Sequence, residues 1–264
     1  MNATWRWMGV VCLAMLTAAR AEEAPLEANA EVAVLSSYTS RGQVNNDRPV
    51  MQPEITVGKG GFSFNAWGNF NLTDRITDKE DFSEIDFVLG YALPFETVEV
   101  EAGFIEYVFP HCVTEEDQEL NGEIVSERKA APGTREFYVN SSYPNPYLTP
   151  ILEIYYDCDE ADGFYFYGAL EKEIQLFETL AVTPGFSTGF GTRKYNDFFF
   201  GVSKNGWNDG NVYINTEVAL TDDIVLAGQL AYMWLWDSEI EEGAEITYLD
   251  TKQLYGGLAL ACEF

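Results

Sequence analysis

Acidic side chains sit at alternate positions in short apolar segments of this chain. Glu84 and Asp86 lie opposite Ile85, Phe87 and Leu89, and Glu217 shares a face with Asn211 and Asn215. In extended backbone, successive side chains point to opposite faces, so these carboxylates look away from the apolar surface toward a polar space. Glu54, Asp86, Glu99, Glu101, Glu153, Glu171 and Glu217 share this placement, and Arg41 is the basic residue expected to pair with them. Carboxylates ringed by a low-dielectric wall concentrate field and attract cations. The chemistry expected of such a set is passage or binding of cations, not bond-making.

Other chemistries find little support. The single histidine, His111, stands beside Cys112. Ser141, Ser142 and Ser187 bear no spacing to His111 that would build a nucleophile and base, and no G-x-S-x-G elbow occurs. No catalytic residue, cofactor or dedicated metal site is therefore expected. Acidic runs at Glu115, Glu116, Asp117 and Glu119, at Asp157, Asp159 and Asp162, and at Asp237, Glu239, Glu241 and Glu242 offer hard oxygen ligands. They lack the glycine and closing glutamate of a calcium loop, so weak Ca²⁺ or Mg²⁺ contact, bridging to anionic lipid, is the most they suggest. In an oxidising compartment a disulfide between Cys112 and Cys158 would tie two loops, leaving Cys262 as a small apolar residue facing lipid.

The chain has 264 residues, with 15 basic and 43 acidic side chains and a formal charge of −28. That balance excludes an electrostatic footprint on nucleic acid. Residues 1–21 read as a signal peptide: Arg6, an apolar run from Trp7 to Ala19, and Ala19-Arg20-Ala21 before Glu22. The run is about 13 residues, short of the roughly 20 that a spanning helix needs. Removing 1–21 takes away two arginines and no acid, leaving a charge of −30. A short segment, 22–30, should then lead into one domain over 31–264.

Elements able to hold inward carboxylates follow from the period-two pattern. Twelve strands are expected near 31–41, 49–57, 62–72, 82–92, 97–109, 135–143, 147–158, 163–173, 179–191, 210–220, 224–236 and 253–264. Each is near the 9 to 11 residues of a tilted membrane strand. Connections after the even-numbered strands are tight, while most others are long and acidic, 159–162 being the exception. Short turns on one rim and long loops on the other, with one uncharged face per strand, describe an antiparallel transmembrane β-barrel of about 12 strands. A soluble sandwich is the alternative that alternation alone also fits. Aromatic girdles are expected from Tyr38, Tyr107, Phe109, Tyr156, Phe190, Trp234 and Trp236 at the long-loop end and Tyr91, Tyr143, Tyr147 and Phe264 at the other. Glu106 interrupts an apolar face, Pro53, Pro150 and Pro184 call for bulges, and Asp197–Ser203 resembles an extra strand above the membrane.

The segment Ser37-Tyr38-Thr39-Ser40-Arg41-Gly42, followed by Pro49-Val50-Met51-Gln52-Pro53 and Gly61-Phe62-Ser63-Phe64-Asn65-Ala66-Trp67-Gly68, resembles the N-terminal signature of TorF-family porins, uncharacterised bacterial outer-membrane proteins. The likeness implies an outer-membrane barrel and a channel, with no catalytic residues and no particular solute. The alternation of Leu258, Leu260 and Phe264 looks like the C-terminal signal read by the barrel-assembly machinery, on the strand expected to close the barrel against the first. The expected partners are outer-membrane lipid and lipopolysaccharide, that machinery, and small solutes or cations. Two functions stay open: a porin-like, cation-preferring channel for small solutes, or a non-conducting structural or lipid-binding barrel whose lumen is plugged.

Overall fold

The structure, a computed structural model, describes residues 24–74, 81–110, 113–120, 123–130 and 132–264. The expected signal peptide, residues 1–21, lies outside the described residues, as do His111, Cys112 and the side chains of Glu115, Glu116, Asp117 and Glu119. The chain runs β1 (Glu27–Leu35), a hairpin of β2 (Tyr38–Ser40) and β3 (Gln43–Asn46), then β4 (Val50–Lys59), β5 (Phe62–Asn71), β6 (Phe82–Leu93) and β7 (Glu99–Val108). A second hairpin, β8 (Val113–Leu120) and β9 (Glu123–Ala130), precedes β10 (Thr134–Ser142), β11 (Thr149–Asp157), β12 (Phe164–Glu171), the short β13 (Ile174–Phe177) and β14 (Leu180–Gly191). Helix α1 (Arg193–Phe200) leads to β15 (Gly206–Ala219) and β16 (Ile224–Leu235), and helix α2 (Ser238–Thr247) to β17 (Lys252–Glu263).

Twelve of these strands form a closed antiparallel barrel, since β12 pairs with β14 and β17 returns to β1 with Val32 opposite Leu260. Closure removes every unpaired strand edge, which hydrocarbon could not satisfy. The outward faces carry the apolar side chains: Val34, Leu230 and Leu258 are 49%, 55% and 59% exposed. Around the long-loop end Tyr156, Phe164, Phe166, Phe190 and Trp207 touch ring to ring on the outside, as do Phe186, Tyr232, Trp234 and Trp236. Phe62 against Tyr91, with exposed Tyr143, Tyr147 and Phe264, marks the opposite end. Three expected girdle residues, Tyr38, Tyr107 and Phe109, line the lumen instead.

The first strand begins at Glu27 rather than residue 31 and ends at Leu35, because Ser36–Pro49 turns away from the wall. Its hairpin enters the barrel. Val44, fully buried, packs on Tyr213, Ala231, Met233 and Tyr255 of β15 to β17, and Asn46 donates to Asn71 Oδ1 at 2.7 Å.

The prolines need no bulges. Pro53, Pro150 and Pro184 face Val32, Leu170 and Ile214 with no shift of register, and the β4–β5 ladder opens at Gln52 and Pro53 before resuming in the same register at Glu54. A missing N–H removes one rung without displacing the strand. Nor does Glu106 disturb the outer face, because the Arg135 guanidinium grips both its oxygens at 2.7 and 3.0 Å near the long-loop rim.

Asp197–Ser203 is not a strand. Phe198–Phe200 end helix α1, whose first N–H is taken by Asn205 Oδ1 at 2.6 Å and whose last turn closes on Gly201 in the left-handed region, φ 67°. Helix α2 starts on Asp237, which accepts from the N–H groups of Glu239 and Ile240, an N-cap whose carboxylate also suits the positive end of the helix dipole. The helices pack together, with Tyr248 donating to the Phe199 carbonyl at 2.9 Å, and they cover the long-loop end of the lumen.

Candidate functional site: an acidic, tyrosine-lined chamber

Beneath the two helices the lumen holds a chamber of about 320 Å³. Eight carboxylates line it, from Glu31, Glu54, Glu84, Asp86, Glu136, Glu153, Glu171 and Asp209, along with nine tyrosines. Among the described lining residues Arg41 is the one cation. The lining borne by the barrel strands comes from inward positions set by the strand period, while Arg41, Phe109, Tyr195, Phe199 and Tyr248 reach the chamber from connections and helices.

Bulky tyrosines fit inside because glycines on the adjacent strand β14 give way. A Cβ on Gly185 would lie 2.3 Å from the Tyr213 ring, and one on Gly189 would lie 2.1 Å from the Tyr165 hydroxyl. The phenols then donate to the acids. Tyr38 bonds Glu84 at 2.7 Å, Tyr155 bonds Glu153 at 2.9 Å, Tyr165 bonds Asp209 at 2.6 Å and Tyr213 bonds Glu171 at 2.7 Å. Buried acceptors need such donors, and the phenols supply them from within the lumen.

The hairpin ends in the chamber. Arg41 and Gly42, at φ 48° and 83°, form its two-residue turn, with Ser40 opposite Gln43. Both positive angles suit the primed turns of hairpins, and glycine takes them freely. Arginine does not, at a cost of about 1 to 2 kcal/mol. Its side chain reaches Glu136 on β10 through two parallel bonds, 2.7 and 2.9 Å, while Tyr107 donates to the same carboxylate at 2.7 Å. The guanidinium carbon lies 4.0 Å from the centre of the Tyr155 ring and 5.1 Å from that of Tyr165. A paired carboxylate plus stacked aromatic faces is the geometry in which arginine outperforms lysine.

Of the acids expected in the lumen, Glu54, Asp86, Glu153 and Glu171 line this chamber beside Arg41. Glu99, Glu101 and Glu217 also point inward but lie outside its lining: Glu99 accepts from Ser142 and Glu101 from Tyr138 at 2.6 Å. Glu84, placed on the polar face with Asp86 from the sequence, joins them, and Glu31, Glu136 and Asp209 complete the set without having been singled out. Their signal was available, since Glu136 shares parity with Tyr138, Asn140 and Ser142.

Acids on the rim are engaged with the chain itself. Asp157 accepts from Thr134 and from the N–H groups of Asp159 and Ala161, Asp159 pairs with Arg135, and Lys204 bridges Asp237 and Glu239. Lys194 and Tyr156 hydrogen-bond Asp162 and hold its carboxyl below the usual range, and Glu239 with Asp237 raises Lys204. Among the described residues no group of three or more His, Cys, Asp or Glu is arranged to hold a metal ion. Cys158 is exposed, its thiol 3.4 Å from the Arg135 carbonyl. Leu258 and Leu260 lie on the outer face of β17, ahead of an exposed Phe264.

Residues 19–234 match the family model described as bacterial protein of unknown function (Gcw_chp). No curated protein matches the chain. Among solved structures it is similar to an outer-membrane channel from Pseudomonas putida F1, at a TM-score of 0.51 and 6% identity over 91% of this chain and 95% of the other. It also matches the NanC porin, at a TM-score of 0.48 and 11% identity over 88% and 98% of the two chains. A third match is the KdgM porin in complex with disordered oligogalacturonate, at 0.48 and 7% over 89% and 97%.

Proposed function

Since the chain belongs to the Gcw_chp family of bacterial proteins of unknown function and folds as a closed twelve-strand barrel, we propose that it is an outer-membrane channel for small, positively charged solutes. One observation carries this reading: a lumen chamber with eight carboxylates against one guanidinium. In a low-dielectric barrel such a surplus favours cations at entry and repels anions. The likeness of Ser37–Gly42 and its flanks to TorF-family porins points the same way. Export by residues 1–21, recognition of the Leu258, Leu260 and Phe264 strand by the assembly machinery, and contact of the outer face with lipid and lipopolysaccharide complete the proposal.

The test is conductance in planar bilayers under a salt gradient. A reversal potential on the cation side is expected, moving toward zero in Glu54→Gln and Asp86→Asn. An anion-side or unchanged potential would refute the charge argument. The buried β2–β3 hairpin supports a second reading, a sealed barrel. Silence of the wild-type protein at high load, in membranes where verified folded barrel is present, would favour it over the channel.

A further inference from the structure

We infer that the lumen wall formed by Glu136, Tyr107, Tyr155 and Tyr165 is a binding site for guanidinium-bearing solutes, occupied in this structure by the hairpin's own Arg41. The inference rests on the reading of the lumen as a path for cations and names the class of cation that the path recognises.

Three observations converge. Glu136 is 1% exposed, and both its oxygens bind Arg41, with Tyr107 as a third donor. A carboxylate so enclosed needs strong donors, and its two parallel bonds fit a planar fork rather than a point charge. Tyr155 and Tyr165 present ring faces to that plane, supplying attraction that an ammonium group with its tight hydration shell uses less well.

The second observation is what delivers Arg41. It sits at a turn position with φ 48°, where asparagine or glycine would be at ease, so the backbone favours a different residue from the one present. The local cost is offset only by what the side chain binds. The third is that Arg41 lies outside the barrel ladder, at the tip of a hairpin whose strands β2 and β3 form a separate two-stranded sheet. A guanidinium solute and Arg41 therefore compete for one site, and solute binding frees the hairpin tip.

The test uses the full mature barrel folded in detergent, its folded state read by heat-modifiable migration. Methylguanidinium is titrated by calorimetry, with methylammonium as the comparison. Arg41→Ala should bind methylguanidinium about 10-fold or more tighter than wild type, the loss of an internal competitor. Methylguanidinium should also restore part of the thermal midpoint that Arg41→Ala loses. Methylammonium should do neither, and Arg41→Ala with Glu136→Gln should not bind. Equal affinity in wild type and Arg41→Ala, or binding retained in the double variant, overturns the inference. Should Arg41→Ala not fold, Arg41→Lys takes its place: tighter methylguanidinium binding than wild type is expected, and none overturns the proposal. Calorimetry needs no ion flux, so a silent channel with intact binding, or a conducting one without it, separates this inference from the function on which it rests.

Discussion

The Arg41–Glu136 pair concentrates the energetics of the lumen at one point. Removing one partner of a buried ion pair leaves the other uncompensated, at about 3 to 5 kcal/mol. Glu136→Gln should therefore lower the unfolding free energy of the detergent-folded barrel in urea by that order, whereas Glu106→Gln, on the half-exposed outer pair with Arg135, should change it far less. The rim gives a pH test. Lys194 and Tyr156 depress the Asp162 carboxyl, so any stability from the pair is present above the ordinary carboxylate range of about 4 and is lost as pH falls through the depressed value. Both side chains are exposed, so 1 M salt should abolish the difference in acid sensitivity between wild type and Asp162→Asn.

Elements decide whether the lumen is crossed or filled. The β2–β3 hairpin owes its place to Gly42, where a Cβ would meet Leu235 Cδ2 at 2.7 Å, and to Val44 in its pocket of Tyr213, Met233 and Tyr255. Gly42→Val, which adds that clash to a strained φ, should dislodge the turn and raise single-channel conductance while leaving heat-modifiable folding intact. Unchanged conductance would mean that the hairpin does not control the path. Strand existence was legible for each barrel element because a period of two is a local property, written in Phe62, Phe64 and Ala66 against Ser63 and Asn65. The helices were not. In Asp197–Ser203 three consecutive phenylalanines suit either structure, and the choice fell to Gly201, to Asn205 and to burial of Tyr195, Asn196 and Phe200, the last two a helical four residues apart.

For the whole molecule, the decisive division is between an outer face in hydrocarbon and an inner face around the chamber. Neighbouring residues of β16 test it. Leu230→Lys, mid-strand and outward, should cost about 2 to 4 kcal/mol of unfolding free energy in lipid, as expected for a midplane lysine. Gln229→Lys, one residue away on the chamber wall, should leave the barrel folded and shift the reversal potential toward anions. Equal losses from both would contradict the assignment of faces. From its own residues the chain determines the strands, their parity and the acidity of the enclosed side, because side-chain alternation and charge need no knowledge of neighbours. Only the tertiary structure decides that Ser36–Pro49 turns inward, that Tyr38 and Tyr107 serve the lumen instead of the interface, and that Arg41 meets Glu136 across 95 residues of chain. A loop can lie in a lumen only where strands close around one, so its destination depends on the closed barrel as well as on Gly42 and Val44 in the segment.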